Sequence, residues 1–215
     1  MKNPSKPSTT RSYAGISPEE RVARRRQQFI DAGRQLFGTI GYRKTTVRLL
    51  CAEAGLTDRY FYESFPTIEA LLVTVYQNLI DELERRMLMA LATQAESDFS
   101  SRIRDGLDVF FQAAEDPVLA RVVWIEILGV SPGADAVYNV ALRRFVNIIF
   151  IFTKTHVPLL SVSDAVARSM CMGLIGAVSE TVKDWVHSGY EQPREVVVEA
   201  MSVLFKSMLT YIHAE

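Results

Sequence analysis

At 215 residues, 48% hydrophobic and 23% charged, the chain has ordinary globular composition and enough length to bury a core in one large or two modest domains. Its formal charge of −1 conceals an asymmetry: residues 1–65 hold 12 Lys and Arg against 6 Asp and Glu, whereas residues 66–215 hold 12 against 19. Contact with a polyanion is therefore expected of the N-terminal third only, and two cysteines, Cys51 and Cys171, are too few for a disulfide framework.

Residues 1–15 are rich in Ser, Thr, Pro, Lys and Arg, a composition that predicts a disordered basic tail, and they lack the apolar core of a secretory signal. Ser17-Pro18-Glu19-Glu20 reads as a helix start, with serine at the N-cap, proline in the first turn and Glu20 placed to complete a capping box. Val22, Phe29, Ile30, Gly33, Leu36, Phe37 and Ile40 follow at helical spacing, and Gly41 ends the helix. Arg21, Arg24, Arg25 and Arg26 near its start form a solvated basic face on composition alone; beside a DNA reader they become phosphate contacts.

From Arg43 to Leu72 the chain predicts two short helices joined at Ala54-Gly55-Leu56-Thr57. Thr45 or Thr46 can cap the first, Val47 to Ala54, and Gly55 can end it in the left-handed conformation. Thr57 suits the N-cap of the second, Asp58 to Phe65, with Asp58 in its first turn where the helix dipole favours an anion. Val47, Leu50 and Cys51 make one apolar stripe, and Phe61 with Phe65 makes another. Two short helices crossing at a glycine turn are a helix-turn-helix, leaving Asp58, Arg59, Tyr60, Tyr62 and Glu63 on the outward face of the second.

After Pro66, Thr67 caps a long helix predicted from Ile68 to about Ala95, which connects this reader to the rest. Further helices are expected from Ser97-Asp98-Phe99-Ser100 to before Pro117, from Pro117 to Gly129, from about Ala134 to Thr155 with Pro158 closing it, from the Ser163 cap to about Ser188, and from Pro193 to about Ala214. No run alternates with strand period, so the class is all-α with about nine helices. The densest apolar run, Phe145 to Phe152, falls short of the roughly 20 residues that a spanning helix needs, so a soluble protein without a membrane partner is expected.

The chain resembles the tetracycline-repressor (TetR) family on Phe37, Gly41-Tyr42, Thr45-Thr46-Val47, Ala54-Gly55-Leu56-Thr57, Phe61-Tyr62, Phe65-Pro66 and Glu69-Ala70-Leu71-Leu72, about a quarter of its length. Three departures stand out. Arg59 and Tyr60 replace a small or turn-forming residue and a threonine, Ile68 replaces a phosphate-reaching lysine, and Ser64 replaces a frequent histidine. The resemblance implies a helix-turn-helix domain over 16–66 and a helical ligand-binding and dimerisation domain over 67–215. It places the second motif helix in the major groove, with Asp58, Arg59, Tyr62 and Glu63 near base edges. Lys44, Thr46, Thr57, Tyr60 and Tyr62 complete the candidate DNA set, the hydroxyls and Lys44 through phosphates. Arg59 can instead pair with Glu63 one turn away.

Aromatic and sulfur side chains in the acidic body (Phe110, Phe111, Trp124, Phe145, Met170) suit either core or a ligand cavity, and Glu126 and Glu180 lie in apolar stretches that would favour a cationic or hydrogen-bonding ligand if they faced it. The last two helices carry small residues, Gly173, Gly176 and Ala177, and excess apolar ones, Met201, Leu204 and Phe205, which suit either a buried pair or a bundle with a second copy. His156, His187 and His213 lie far apart in no metal-ligand spacing, and neither a cofactor nor a catalytic motif is expected. The function expected is a homodimeric, cytoplasmic repressor that binds a near-palindromic double-stranded operator and is released by a small hydrophobic effector. The alternatives are a DNA-binding protein controlled by another protein, and an all-helical binding protein or enzyme with an incidental basic N-terminus.

Overall fold

The structure, a computed structural model, describes residues 17–93, 99–157 and 159–212. Nine α-helices follow one another within them, with a 3-10 turn at Tyr42–Lys44 and a π-helical turn at Val122–Glu126. No β-strand occurs among the described residues, so the fold is all-α. The tail over 1–15, the start at Ser97-Asp98, the stop at Pro158 and the end at Ala214 fall outside the described residues.

Helix α1 (Pro18–Thr39) opens with both halves of the capping box: the Ser17 hydroxyl accepts from Glu20 N at 3.1 Å, and the Glu20 carboxylate accepts from Ser17 N at 2.7 Å. Its inward stripe is Phe29, Ile30, Ala32, Gly33, Phe37 and Gly38. Val22, expected on that stripe, is half exposed, because the buried stripe begins only at Phe29. Helix α2 (Val47–Ala54) is capped by Thr46, whose hydroxyl accepts from Leu49 N at 3.3 Å. Thr45 is buried instead and donates to Gly41 O at 2.8 Å, which settles which threonine caps. Gly55 takes φ 65°, the left-handed region that a side chain resists, and frees the chain to turn into α3 (Asp58–Ser64). The edge-to-face pair of Phe29 and Phe61, with centroids 5.4 Å apart, joins α1 to α3 around buried Leu50 and Phe65.

Helix α4 (Ile68–Thr93) starts where the Thr67 hydroxyl accepts from Ala70 N at 3.0 Å, and its first turns lie against α1 through buried Leu71 and Leu72. The body adds α5 (Phe99–Ala114), α6 (Pro117–Arg121), α7 (Pro132–His156), α8 (Asp164–His187) and α9 (Arg194–Ile212). Helix α5 packs on α4 and α9, α7 on α8 and α4, and α8 on α9. The single helix expected from Pro117 to Gly129 is corrected: α6 lasts 5 residues and widens into the π-helical turn before Gly129 reverses the chain at φ 68°.

Helix α7 alone among the described residues has the length and apolar composition of a spanning helix. It is a packed wall of the body: Phe145, Val146 and Phe150 are buried, and Arg144 on its flank pairs with Asp81 and Glu84 of α4. At the α8–α9 corner, Gly189 and then Tyr190 take positive φ, 70° and 61°. A tyrosine resists that conformation and is held there by its hydroxyl donating to Ala114 O at 2.9 Å and by its ring edge against Trp185.

Candidate nucleic-acid interface and internal cavity

The outward face of α3 presents Asp58, Arg59, Tyr62 and Glu63 to solvent, with Lys44, Thr46 and Thr57 exposed beside it. Thr57 occupies the N-cap position without a capping bond from its side chain; the Asp58 carboxylate instead accepts from Arg59 N at 2.9 Å. Arg59 Nε sits 3.0 Å from Glu63, with the two side chains 82% and 44% exposed. That pair is a weak surface contact, and Arg59 can leave it at little cost.

Tyr60 does not belong to the outward face. It is half buried, and the Arg25 guanidinium of α1 lies 4.4 Å from its ring centre. Arg26 lies 4.6 Å from the Phe65 ring in the same way. Two of the four early arginines are thus stacked on the motif, while Arg21 and Arg24 remain exposed. Ile68, where the resemblance expects a lysine, is half buried against the core. A phosphate contact at that point of the family pattern is absent from this chain's side chains.

Inside the body a narrow apolar cavity of about 50 Å³ opens to the surface. Phe110 and Phe145 line it as expected, and so do Gly106, Phe152 and Thr153, which the sequence did not point to, and Phe205, which it pointed to as an interface residue. A smaller cavity shares Phe110, Phe145 and Ile175 with it and adds Trp124, Tyr76 and Tyr138. Burial pushes the Tyr76 hydroxyl well above its ordinary pKa, so it stays neutral there.

The other expected lining residues are corrected. Phe111 is fully buried against Trp185, and Met170 touches neither cavity. Glu180 is 74% exposed and pairs with Lys183 at 2.5 Å. Glu126 stands outside both cavities, in a cleft between the body and the 3-10 turn after α1. There its carboxylate accepts from Tyr42 N at 2.7 Å and from Arg121 Nε at 2.8 Å, while Arg121 also donates to Thr39 O at 2.6 Å. Arg34 of α1 pairs with Asp116 at 2.9 Å, and Ser131 donates to Glu69 at 2.5 Å. A sequence offers no signal for these joints, because their partners are 62 to 84 positions apart.

The last two helices divide their apolar residues. Met201 and Phe205 face the chain's own core, which corrects their placement in an interface with a second copy. Val166, Met172, Val196, Val203 and Leu204 are exposed, and a Cβ added at Gly173 or Gly176 would meet nothing within 4 Å. Ala177 is half buried at the edge of this open face. Among the described residues no group of three His, Cys, Asp or Glu side chains is arranged to hold a metal. Both cysteines are free, and burial raises the Cys171 thiol to about 11, where it is no nucleophile at neutral pH.

The same helical arrangement recurs in solved regulators. FadR from Bacillus subtilis, solved in complex with stearoyl-CoA, superposes with a TM-score of 0.69 at 21% identity, covering 87% of this chain and 99% of that one. A transcriptional regulator from Rhodococcus sp. Rha1 gives 0.72 at 14% identity over 88% and 98%, and a regulator from Pseudomonas aeruginosa PAO1 gives 0.72 at 15% over 93% and 95%. No curated protein matches the chain by sequence. Residues 29–75, from the middle of α1 through the helix-turn-helix into α4, match the family model of bacterial regulatory proteins, tetR family. The helix-turn-helix segment of the chain thus matches the tetR family, and the described helices share the fold of these solved regulators.

Proposed function

We propose that the protein is a homodimeric repressor that leaves its operator when a small hydrophobic effector enters the body, with residues 16–66 as the reader and 67–215 as the sensor and dimer former. The observation that carries this reading is the pairing, in one chain, of an exposed α3 face with an apolar cavity in the body. In the dimer, two α3 helices enter successive major grooves of a near-palindromic site, about 34–36 Å apart or a multiple of that distance. Asp58, Arg59 and Glu63 address base edges, and Lys44, Thr46, Thr57 and Tyr62 address phosphates. Arg59 leaves Glu63 to grip a guanine; the surface pair resists this by a few tenths of a kcal/mol. The open face of α8 and α9, with Gly173, Gly176 and Leu204, supports the dimer contact.

The cavity walls are almost wholly apolar, which favours an effector with a hydrocarbon part; the stearoyl-CoA held by the Bacillus subtilis neighbour is a ligand of that kind. Effector binding shifts the dimer toward a spacing that no longer matches the DNA, and its differential affinity for the two states caps the effect. The test is to select an operator from randomised DNA, find a ligand that raises the thermal midpoint, and titrate that ligand with and without operator. Operator should lower ligand affinity by the same factor that ligand lowers operator affinity, about 5- to 150-fold. Identical ligand affinities in the two titrations would dissociate the cavity from DNA binding.

A further inference from the structure

The cavity has apolar walls from end to end, with Thr153 as the polar residue among the side chains that line it. A charged group of any ligand must therefore stay at the mouth, since burying it unpaired inside would be prohibitive. The half-buried lining residues Leu91, Ile149 and Phe152 mark that mouth; the rest of the wall is mostly buried. Arg102 does not line the cavity but touches two residues of that mouth. Arg102 of α5 donates from Nε and Nη2 to Leu91 O at 3.2 and 2.6 Å, and its guanidinium carbon lies 4.9 Å from the centre of the Phe152 ring.

Its Nη1 approaches His156 Nε2 at 2.6 Å, and His156 Nδ1 lies 2.8 Å from Phe152 O. Among the described residues these contacts engage three of its five N–H groups, leaving one on each terminal nitrogen. Arg102 pairs with no carboxylate among the described residues, although other arginines of the body do: Arg104 holds one, and Arg144 and Arg194 hold two each. A permanently charged, positioned and half-buried fork is suited to an anionic group, which it can take with two parallel bonds.

We propose that Arg102 anchors the acidic head of an amphipathic ligand whose alkyl part fills the cavity. This rests on the reading of the cavity as the effector site and names its ligand class: an alkyl chain ending in a carboxylate or in the phosphates of a larger conjugate. Contacts with Leu91 O and the Phe152 ring pre-set the guanidinium, so little side-chain freedom is lost when the head arrives.

The test uses the full chain and three probes with the same twelve-carbon tail: dodecanoate, dodecanol and dodecyltrimethylammonium, titrated by calorimetry below their micellar concentrations. Dodecanoate should bind wild type about tenfold or more tighter than dodecanol, with the ammonium weakest. Arg102→Gln should erase the preference for dodecanoate while retaining dodecanol, whose binding reports that the cavity survives. Arg102→Lys should keep part of the preference, since charge remains and the fork does not. Dodecanoyl-coenzyme A distinguishes the two sources of the head: Arg102-dependent binding of the conjugate without binding of dodecanoate identifies the phosphates. Equal affinity of wild type for dodecanoate and dodecanol, together with binding of the conjugate indifferent to Arg102→Gln, would overturn the anchor and leave the cavity standing. Failure of every probe to bind would overturn the cavity reading itself.

Discussion

The Glu126 carboxylate accepts the backbone N–H of Tyr42 at 2.7 Å, across 84 positions of sequence, and so ties the π-helical turn of the body to the loop that leads into α2. Trp124, two residues earlier in the same turn, lines the smaller cavity. One five-residue segment thus touches both the internal space and the DNA-reading unit. In the proposed switch, displacement of Trp124 would reach Tyr42 without passing through α4, a second route beside the long connecting helix.

Glu126→Gln should lower stability by about 1–3 kcal/mol, because Arg121 loses its charged partner in a site where Glu126 is 13% exposed. Arg121→Gln should cost a similar amount, and the double variant little more, since both changes remove one interaction. Urea unfolding of the four proteins checks this. Additive losses would show that Glu126 and Arg121 act separately. In the same set, effector-induced release from operator should be weakened in Glu126→Gln more than effector binding itself.

Gly38→Ala tests how closely the reader is pressed on the body. A Cβ there would meet Val118 Cγ1 at 2.5 Å and its Cα and carbonyl oxygen at 2.7 Å, so backbone as well as side chain must move. Helix propensity favours alanine by about 1 kcal/mol, yet the clash should dominate and destabilise by about 1–3 kcal/mol. A raised thermal midpoint would mean that α1 and α6 separate freely.

Gly176→Glu separates folding from association. Nothing lies within 4 Å of the position in the protomer, so the substitution should leave helical content and protomer folding intact. In a dimer built on this face it would bury an unpaired charge. Sedimentation at micromolar concentration should then show a folded monomer with weakened operator binding. An unchanged dimer would move the interface elsewhere.

Arg59→Ala should leave the unfolding free energy within about 0.5 kcal/mol, because the pair with Glu63 is a solvated i,i+4 contact. Its effect belongs on DNA: selection from randomised sites should relax at one base pair, by about 1–3 kcal/mol there. Tyr62→Phe, by contrast, should weaken all sequences alike, as loss of a phosphate contact does. An unaltered consensus for Arg59→Ala would remove Arg59 from the specificity set.

Local chemistry carried most of the fold in the sequence itself. The capping box at Ser17, the left-handed Gly55, the threonine cap at Thr67 and the serine cap at Ser163 are interactions across three or four residues, and each helix they bound lies where the spacing predicts. The class and the exposed α3 face follow from the same short-range rules. What the tertiary structure decided is which way ambiguous apolar and charged residues point. Tyr60 turned to Arg25, Phe205 to the cavity and Glu126 to Tyr42 because partners on distant helices were there to meet them. Helical period assigns a residue to a stripe, but an amphipathic helix in a body of several layers has more than one buried side, and only packing distinguishes core from cavity and cavity from open face. The π-helical turn after Arg121 rotates every later side chain of that segment, and no spacing in Pro117–Gly129 announces it.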